Sequence, residues 1–499
     1  MNEKHAEDVP PLNEESAGGM SEVEEVRKGL HSRHIQTIAL AGAIGTGLFL
    51  SSGRAISRSG PLGALIGYLM GALVPLNGGI VRYSGYWVDP ALSFANGWNL
   101  VYSYSVSMPA EIVAATVLVE FWITINSAIW ITIFGVLMLL SGFCIIRIYG
   151  EMEFGFSMMK IALIVGVNLM ALVITCGGGP NHEPIGFKYW KKPGPFVQYL
   201  GIDGSLGQFL GVWTAMNNAL YAYSGIESIT VAAAETRSPR RAIPNAAKRI
   251  FGRIALFYVI SIFMLGLVVP SDDPNLSHYS GTASTSPFVI AAKRAGIKVV
   301  PSIINAVIIT SAWSSGNSNV LSGSRVLYGL AKDGLAPKIF TKLNRFSVPW
   351  VAITMYGVLM CLAYLTVSST ASILTILVTY LRFFYGCKKQ GISRNSLPWA
   401  VPFQPYISWA SMVLCILLLI TGGYVSFIHG QWSNESFVSS YINIPIFFIL
   451  FFSYKYLKKT KIVALEDLPI QGFIDSYIQN PEPAPRPKSR LRKLNFLWS

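Results

Sequence analysis

The chain has 499 residues, of which 52% are hydrophobic, 12% aromatic and 13% charged, with a net charge of +14 and a mean hydropathy of +0.47. A soluble protein carries roughly 25% charged residues. Here the apolar residues bunch into long blocks that are apolar on every side, and such helices are stable only in a large core or in lipid. That excludes a soluble multidomain chain and predicts an all-α polytopic membrane protein. The positive charge does not point to nucleic acid, because Lys and Arg sit in the short gaps between blocks, as in cytoplasmic loops.

In chain order, residues 1–33 form an N-terminal tail, acidic up to Glu25 and poor in large apolar side chains. Its composition predicts disorder. No leader of basic and then apolar residues is expected before the first span. Twelve apolar blocks follow, at about 35–51, 60–74, 98–119, 127–146, 155–176, 207–234, 251–270, 300–323, 349–367, 371–384, 406–428 and 440–457. The membrane domain is thus expected over 34–457 and a second cytoplasmic tail over 458–499. Most blocks reach the ~20 residues that a bilayer core demands. The second and tenth fall short, since a 15-residue helix spans only about 22 Å.

If the spans alternate, the Lys and Arg clusters before block one and after blocks six, eight, ten and twelve all fall on one side. Both termini are then cytoplasmic. The sequons at Asn275 and Asn434 land on the opposite side, as glycosylation candidates. Five scattered Cys without a CxxC spacing imply neither a disulfide framework nor zinc. The six His fall in tails, loops or block ends, so a His relay through the membrane is not expected.

The first span carries Gly42, Gly45 and Gly47. Each weakens a helix by about 1 kcal/mol, and freed backbone is tolerated in lipid only against protein or a wet cavity. One reading is a broken helix whose bare amides at Thr46 and Gly47 bind a carboxylate. The other is close packing of small residues. The sixth span holds a second break candidate, Tyr221-Ala-Tyr-Ser-Gly-Ile-Glu227. Paired breaks in corresponding halves are the strongest sequence pointer to a transporter site.

Intramembrane ionisable groups are costly and mark function by default. Glu111, Lys160 and Glu227 are the three. The alternatives are structural acids for Glu111 and Glu227, and a Lys160 that snorkels to the interface. Gly63, Gly67 and Gly71 in the second span fit a helix-packing face. The eighth span contains the polar run Trp313-Ser-Ser-Gly-Asn-Ser-Asn319, which should face a cavity or partner helices. No GxSxG, HExxH or Walker A motif is present, so neither an enzyme nor an ATP-driven pump is expected.

These residues resemble a family. The stretches Arg33-His-Ile-Gln-Thr-Ile-Ala-Leu-Ala-Gly-Ala-Ile-Gly-Thr-Gly-Leu-Phe49, Pro109-Ala-Glu111, Ser286-Pro-Phe-Val-Ile290, Pro301-Ser-Ile-Ile-Asn-Ala306 and Leu397-Pro-Trp-Ala-Val-Pro-Phe-Gln-Pro-Tyr406 are similar to those of fungal amino acid permeases. These belong to the amino acid–polyamine–organocation superfamily. The resemblance runs from about Gly29 to Tyr456. It implies about twelve spans, a five-plus-five inverted repeat plus two, and proton-coupled amino acid import, with protons as the coupling ion and no cofactor. By motif, Thr46 and Gly47 would hold the substrate α-carboxylate, and carbonyls of Ala43, Tyr221 and Ser224 the α-ammonium. Glu111 and Lys160 would act in coupling, with Lys160 in the place of a sodium ion and Glu227 as a further coupling candidate. The expected location is the plasma membrane, with trafficking or ubiquitination factors meeting the tails.

The chain departs from that family in two places. The family's second helix continues into an apolar stretch ending in Gly-Glu-Met, whereas here Gly71-Ala-Leu-Val is followed by Pro75-Leu-Asn-Gly-Gly79. The tenth helix lacks roughly twenty residues between Ser369 and Tyr380, by comparison with the family. Spanning helices do not tolerate deletion as loops do. The alternative is therefore a transport-inactive, permease-like protein: a nutrient sensor, a decayed copy or a faulty gene model.

Overall fold

A computed structural model describes residues 44–72, 81–123, 125–144, 146–223, 239–277, 286–360, 370–393, 397, 404–428 and 432–479. Among the described residues every regular element is helical. A π-helical turn, Gly47–Ser51, runs into α1 (Ser52–Ala72). There follow α2 (Val81–Trp87), α3 (Pro90–Val119), α4 (Ser127–Gly142), α5 (Ile146–Thr175), α6 (Gly204–Ala222), α7 (Pro239–Val268), α8 (Pro287–Arg294) and α9 (Val300–Lys332). The chain continues with α10 (Trp350–Leu359), α11 (Thr370–Lys389), α12 (Tyr406–Thr421), α13 (Asn434–Tyr441), α14 (Asn443–Lys458) and α15 (Ile470–Gln479).

Large apolar side chains are exposed on the outside, and polar side chains are buried inside alongside the apolar core. Along α4, Ile129, Ile133, Val136, Leu137 and Leu140 are exposed. Along α9, Ser311, Ser314, Ser315, Asn317, Ser318 and Ser322 are buried. Water would drive the reverse arrangement, and lipid permits this one. Two described helices, Pro90–Val119 and Ile148–Thr175, are long and apolar enough to cross a bilayer unaided. The shorter apolar helices include Ser127–Gly142 and Tyr406–Thr421.

Two helix pairs dominate the packing, α3 with α9 and α1 with α6. The second pair is made possible by small residues. A Cβ at Gly67 would lie 2.9 Å from the Met216 backbone nitrogen, and one at Gly63 would lie 3.3 Å from Val212 Cγ2. Both contacts are with α6, so these two glycines serve the close packing expected of them. Gly71's surroundings lie outside the described side chains.

The first and second spans differ from their apolar blocks. The first helix continues past Ser51 to Ser59. The chain then turns at Gly60, whose φ is +77°. Only glycine adopts that value freely, and a Cβ there would strike the Pro195 carbonyl oxygen at 2.5 Å. Leu62 N–H donates to that same carbonyl, and Val197 N–H to Ser59 O. The tenth block, read as 371–384, lies inside the 20-residue α11. The helix outruns the block because it continues through Lys388 and Lys389, so the apolar portion stays short.

The stretch after α14 is docked. Lys455 and Thr460 both donate to the Asp89 carboxylate, which also caps α3 by accepting from Ala91 N–H at 2.9 Å. Val463 N–H donates to Val88 O at 2.9 Å. Arg382 of α11 ties Trp87 O, at 2.6 Å, to Val463 O. Gln390 donates to the carbonyls of Leu465, Glu466 and Leu468. Leu468 and Ile470 are buried with Cys387. Residues 460–470 thus form a strap joining the start of α3 to α11.

Candidate substrate site

Of the glycine-rich stretch of the first span, the described part begins at Ile44. Ile44 and Gly45 bend, and helical structure starts at Thr46. The first turn is a π-turn, a form that appears mostly as short bulges at functional sites. The free Ile44 carbonyl accepts from Ser311 Oγ at 3.2 Å, and the Phe49 carbonyl from Ser286 Oγ at 3.0 Å. Polar side chains of α9 and of Ser286, directly before α8, thus bond carbonyls at the start of this helix.

Helix α6 stops at Ala222, inside the expected second break. The Ala222 carbonyl accepts from Tyr258 Oη at 2.9 Å. A Cβ on Gly47 would lie 3.0 Å from Ala222 Cα, so Gly47 lets the start of the first described helix touch the end of α6. Tyr221 is helical, directly before this point. Ala43, Ser224 and Glu227 lie outside the described residues.

Glu111 faces the first break. Thr46 N–H donates to Glu111 Oε2 at 3.4 Å, and Ser315 Oγ donates to Oε1 at 3.2 Å. Gly45 has room for nothing more, because a Cβ there would lie 2.4 Å from Glu111 Oε1 and 2.7 Å from Ser315 Oγ. Glu111 lies within α3, two residues after Pro109. The backbone amide expected to hold a substrate carboxylate thus meets a carboxylate of the protein itself.

Lys160 is fully buried at 0% exposure, so it does not snorkel to an interface. It lies within electrostatic reach of Glu111 and of a second acid, Glu153. The sequence reading missed Glu153 because apolarity placed the fifth span from residue 155, whereas α5 starts at Ile146. Glu153 is also at 0% exposure. It accepts from Ser314 Oγ at 2.5 Å and from Asn317 Nδ2 at 3.2 Å. Ser141 of α4 donates to the Asn317 side-chain oxygen. The polar run of the eighth span therefore serves two buried acids, Ser315 for one and Ser314 with Asn317 for the other. One signal was available: Glu153 and Lys160 are seven residues apart, two turns along one helix face.

The glycosylation candidates Asn275 and Asn434 are exposed. Asn275 donates from its side-chain amide to Asp273 Oδ1 at 2.9 Å, and Asn434 opens α13. Among the described residues no His, Cys, Asp and Glu group could hold a metal ion.

Residues 34–466 match the family described as amino acid permease. The dicarboxylic amino acid permease of Saccharomyces cerevisiae is 34% identical, over 93% of this chain and 83% of its own. The proline-specific permease of the same yeast is 36% identical, over 91% and 79%. Its lysine-specific permease is 33% identical, over 92% and 81%. Among solved structures, an Eremococcus coleocola manganese transporter aligns at a TM-score of 0.49 and 13% identity, over 85% of this chain and 94% of its own. With the family matched over most of its length, the chain belongs to the amino acid permeases, integral membrane proteins of transport.

Proposed function

We propose that this permease imports an α-amino acid by proton symport, with a five-plus-five inverted repeat plus two spans, at the plasma membrane with both termini cytoplasmic. The observation that carries the reading is the close approach of Gly47, at the start of one helix, to Ala222, at the end of α6, beside a buried Glu111 and Lys160. A half-helix N-terminus supplies bare amides and a positive dipole end suited to an α-carboxylate. The relatives are named for dicarboxylic amino acids, proline and lysine. What they share as substrates is the α-amino acid frame, and that frame is what the backbone amides of Thr46 and Gly47 would recognise. The carbonyls of Ala43, Tyr221 and Ser224 would take the ammonium.

Uptake by cells expressing the chain is expected for an amino acid and absent for the amine left by its decarboxylation. Equal uptake of the two would remove the carboxylate role. The transport-inactive alternative rests on the second and tenth apolar blocks, which are short beside those of the family. No uptake of any amino acid from properly inserted protein would favour it.

The Lys and Arg asymmetry supplies the orientation. A tag at the C-terminus is expected to resist protease added to intact cells, while a tag in the loop at Asn434 is cut. Cleavage of the C-terminal tag from outside would reverse the topology.

A further inference from the structure

Three ionisable groups share one buried site: two acids, Glu111 and Glu153, and one base, Lys160. With all three ionised the site would hold a net negative charge out of water, which costs several kcal/mol per uncompensated ion. The low-cost state has one acid ionised against Lys160 and the other holding a proton. Which acid holds it is a question of which carboxylate has the better donors.

The two environments differ. Glu153 accepts from Ser314 at 2.5 Å and from Asn317 at 3.2 Å, and Asn317 is oriented by Ser141 on its other side. Glu111 meets the Thr46 side chain and has longer bonds than Glu153, 3.2 Å from Ser315 and 3.4 Å from the Thr46 amide. Shorter bonds from oriented donors favour the anion. The other titratable groups near Glu153 are Tyr149 on its own helix and Arg325 of α9, which acts on Tyr149.

We propose that Glu153 is the standing counter-ion of Lys160, a positioning residue that leaves Glu111 as the acid that loads the coupling proton. This rests on the symport reading above. It also explains why the Thr46 amide touches Glu111. An ionised Glu111 takes that amide for itself and repels an arriving carboxylate. In the low-cost state Glu111 holds its proton as O–H, which removes that charge and leaves the amide to a substrate carboxylate, so the proton is carried inward with the substrate.

The charge assignment can be tested without transport. In purified protein in lipid nanodiscs, infrared spectroscopy at neutral pH should show the C=O stretch of a protonated buried carboxyl. Ser315→Ala should shift that band and Ser314→Ala should leave it in place. In Glu153→Gln the band should vanish, because Lys160 then takes Glu111 as its ion partner. In Glu153→Gln/Lys160→Met it should return. A band that moves with Ser314→Ala but not with Ser315→Ala puts the proton on Glu153 and overturns the proposal. So does the absence of any protonated carboxyl in the unmodified protein. The two serine variants decide the matter even if Glu153→Gln fails to fold. In proteoliposomes, Glu153→Gln should exchange substrate but lose proton-driven accumulation, and accumulation at the unmodified level would also overturn the assignment. If the unmodified protein shows the infrared pattern but no proton-driven uptake, the symport reading falls while the counter-ion assignment stands.

Discussion

Lys160→Ala is expected to abolish accumulation of substrate against its gradient while leaving exchange measurable. The substitution removes the cation that serves two buried acids, and deleting one partner of a buried ion pair costs about 3–5 kcal/mol. A penalty of about 3 kcal/mol at the coupling step corresponds to a loss of order a hundredfold in concentrative uptake. The measurement is radiolabelled uptake with and without a protonophore, normalised to protein at the cell surface. Lys188→Ala, at an exposed position outside the spans, is the control and should behave as the unmodified chain. Undiminished, protonophore-sensitive accumulation in Lys160→Ala would show that its charge has no part in coupling.

Gly45→Ala should be nearly as damaging, for a steric reason. The added methyl would sit 2.4 Å from Glu111 Oε1 and 2.7 Å from Ser315 Oγ. Neither group can withdraw freely, since each is bonded to the other. Overpacking of this kind costs roughly 1–3 kcal/mol, and here the displaced atoms are the ones that face Thr46. Transport should be lost or reduced tenfold or more, with the protein still reaching the membrane. Gly155→Ala, whose Cβ would meet nothing within 4 Å, should transport normally. If Gly45→Ala matches Gly155→Ala in uptake, the glycine-rich break is a packing feature and not the centre of a site.

Much of this arrangement was legible in the amino-acid order, and the missing parts have physical causes. The helical, membrane character was visible because lipid demands long apolar runs. Gly47 and Ala222 are 175 positions apart in the chain, yet both fall in the two segments that the sequence singled out. Glu153 was overlooked because apolarity marks where lipid begins, not where a helix begins: α5 starts at Ile146, well before its apolar portion. The roles of Ser314, Ser315 and Asn317 were hidden for another reason. Within a run of polar residues, sequence shows that something polar faces inward but not which neighbour each hydroxyl meets. Gly60 was missed as a turn because the residues before it are polar and end the apolar block early. The docking of residues 460–470 depends on Arg382 and Gln390 finding carbonyls some 80 positions away, which no local pattern encodes.

That docking makes the end of the chain a mechanical part. A pull applied beyond Gln479 is delivered through the strap as tension on Trp87 and Val88, ahead of α3, and on Arg382 in α11. Because Asp89 both caps α3 and anchors Lys455 and Thr460, the load reaches the helix that carries Glu111. The transmission runs in both directions. Any rocking that separates the start of α3 from α11 must slacken or tear the strap, so the work of that motion is registered at the tail as a change in tether tension.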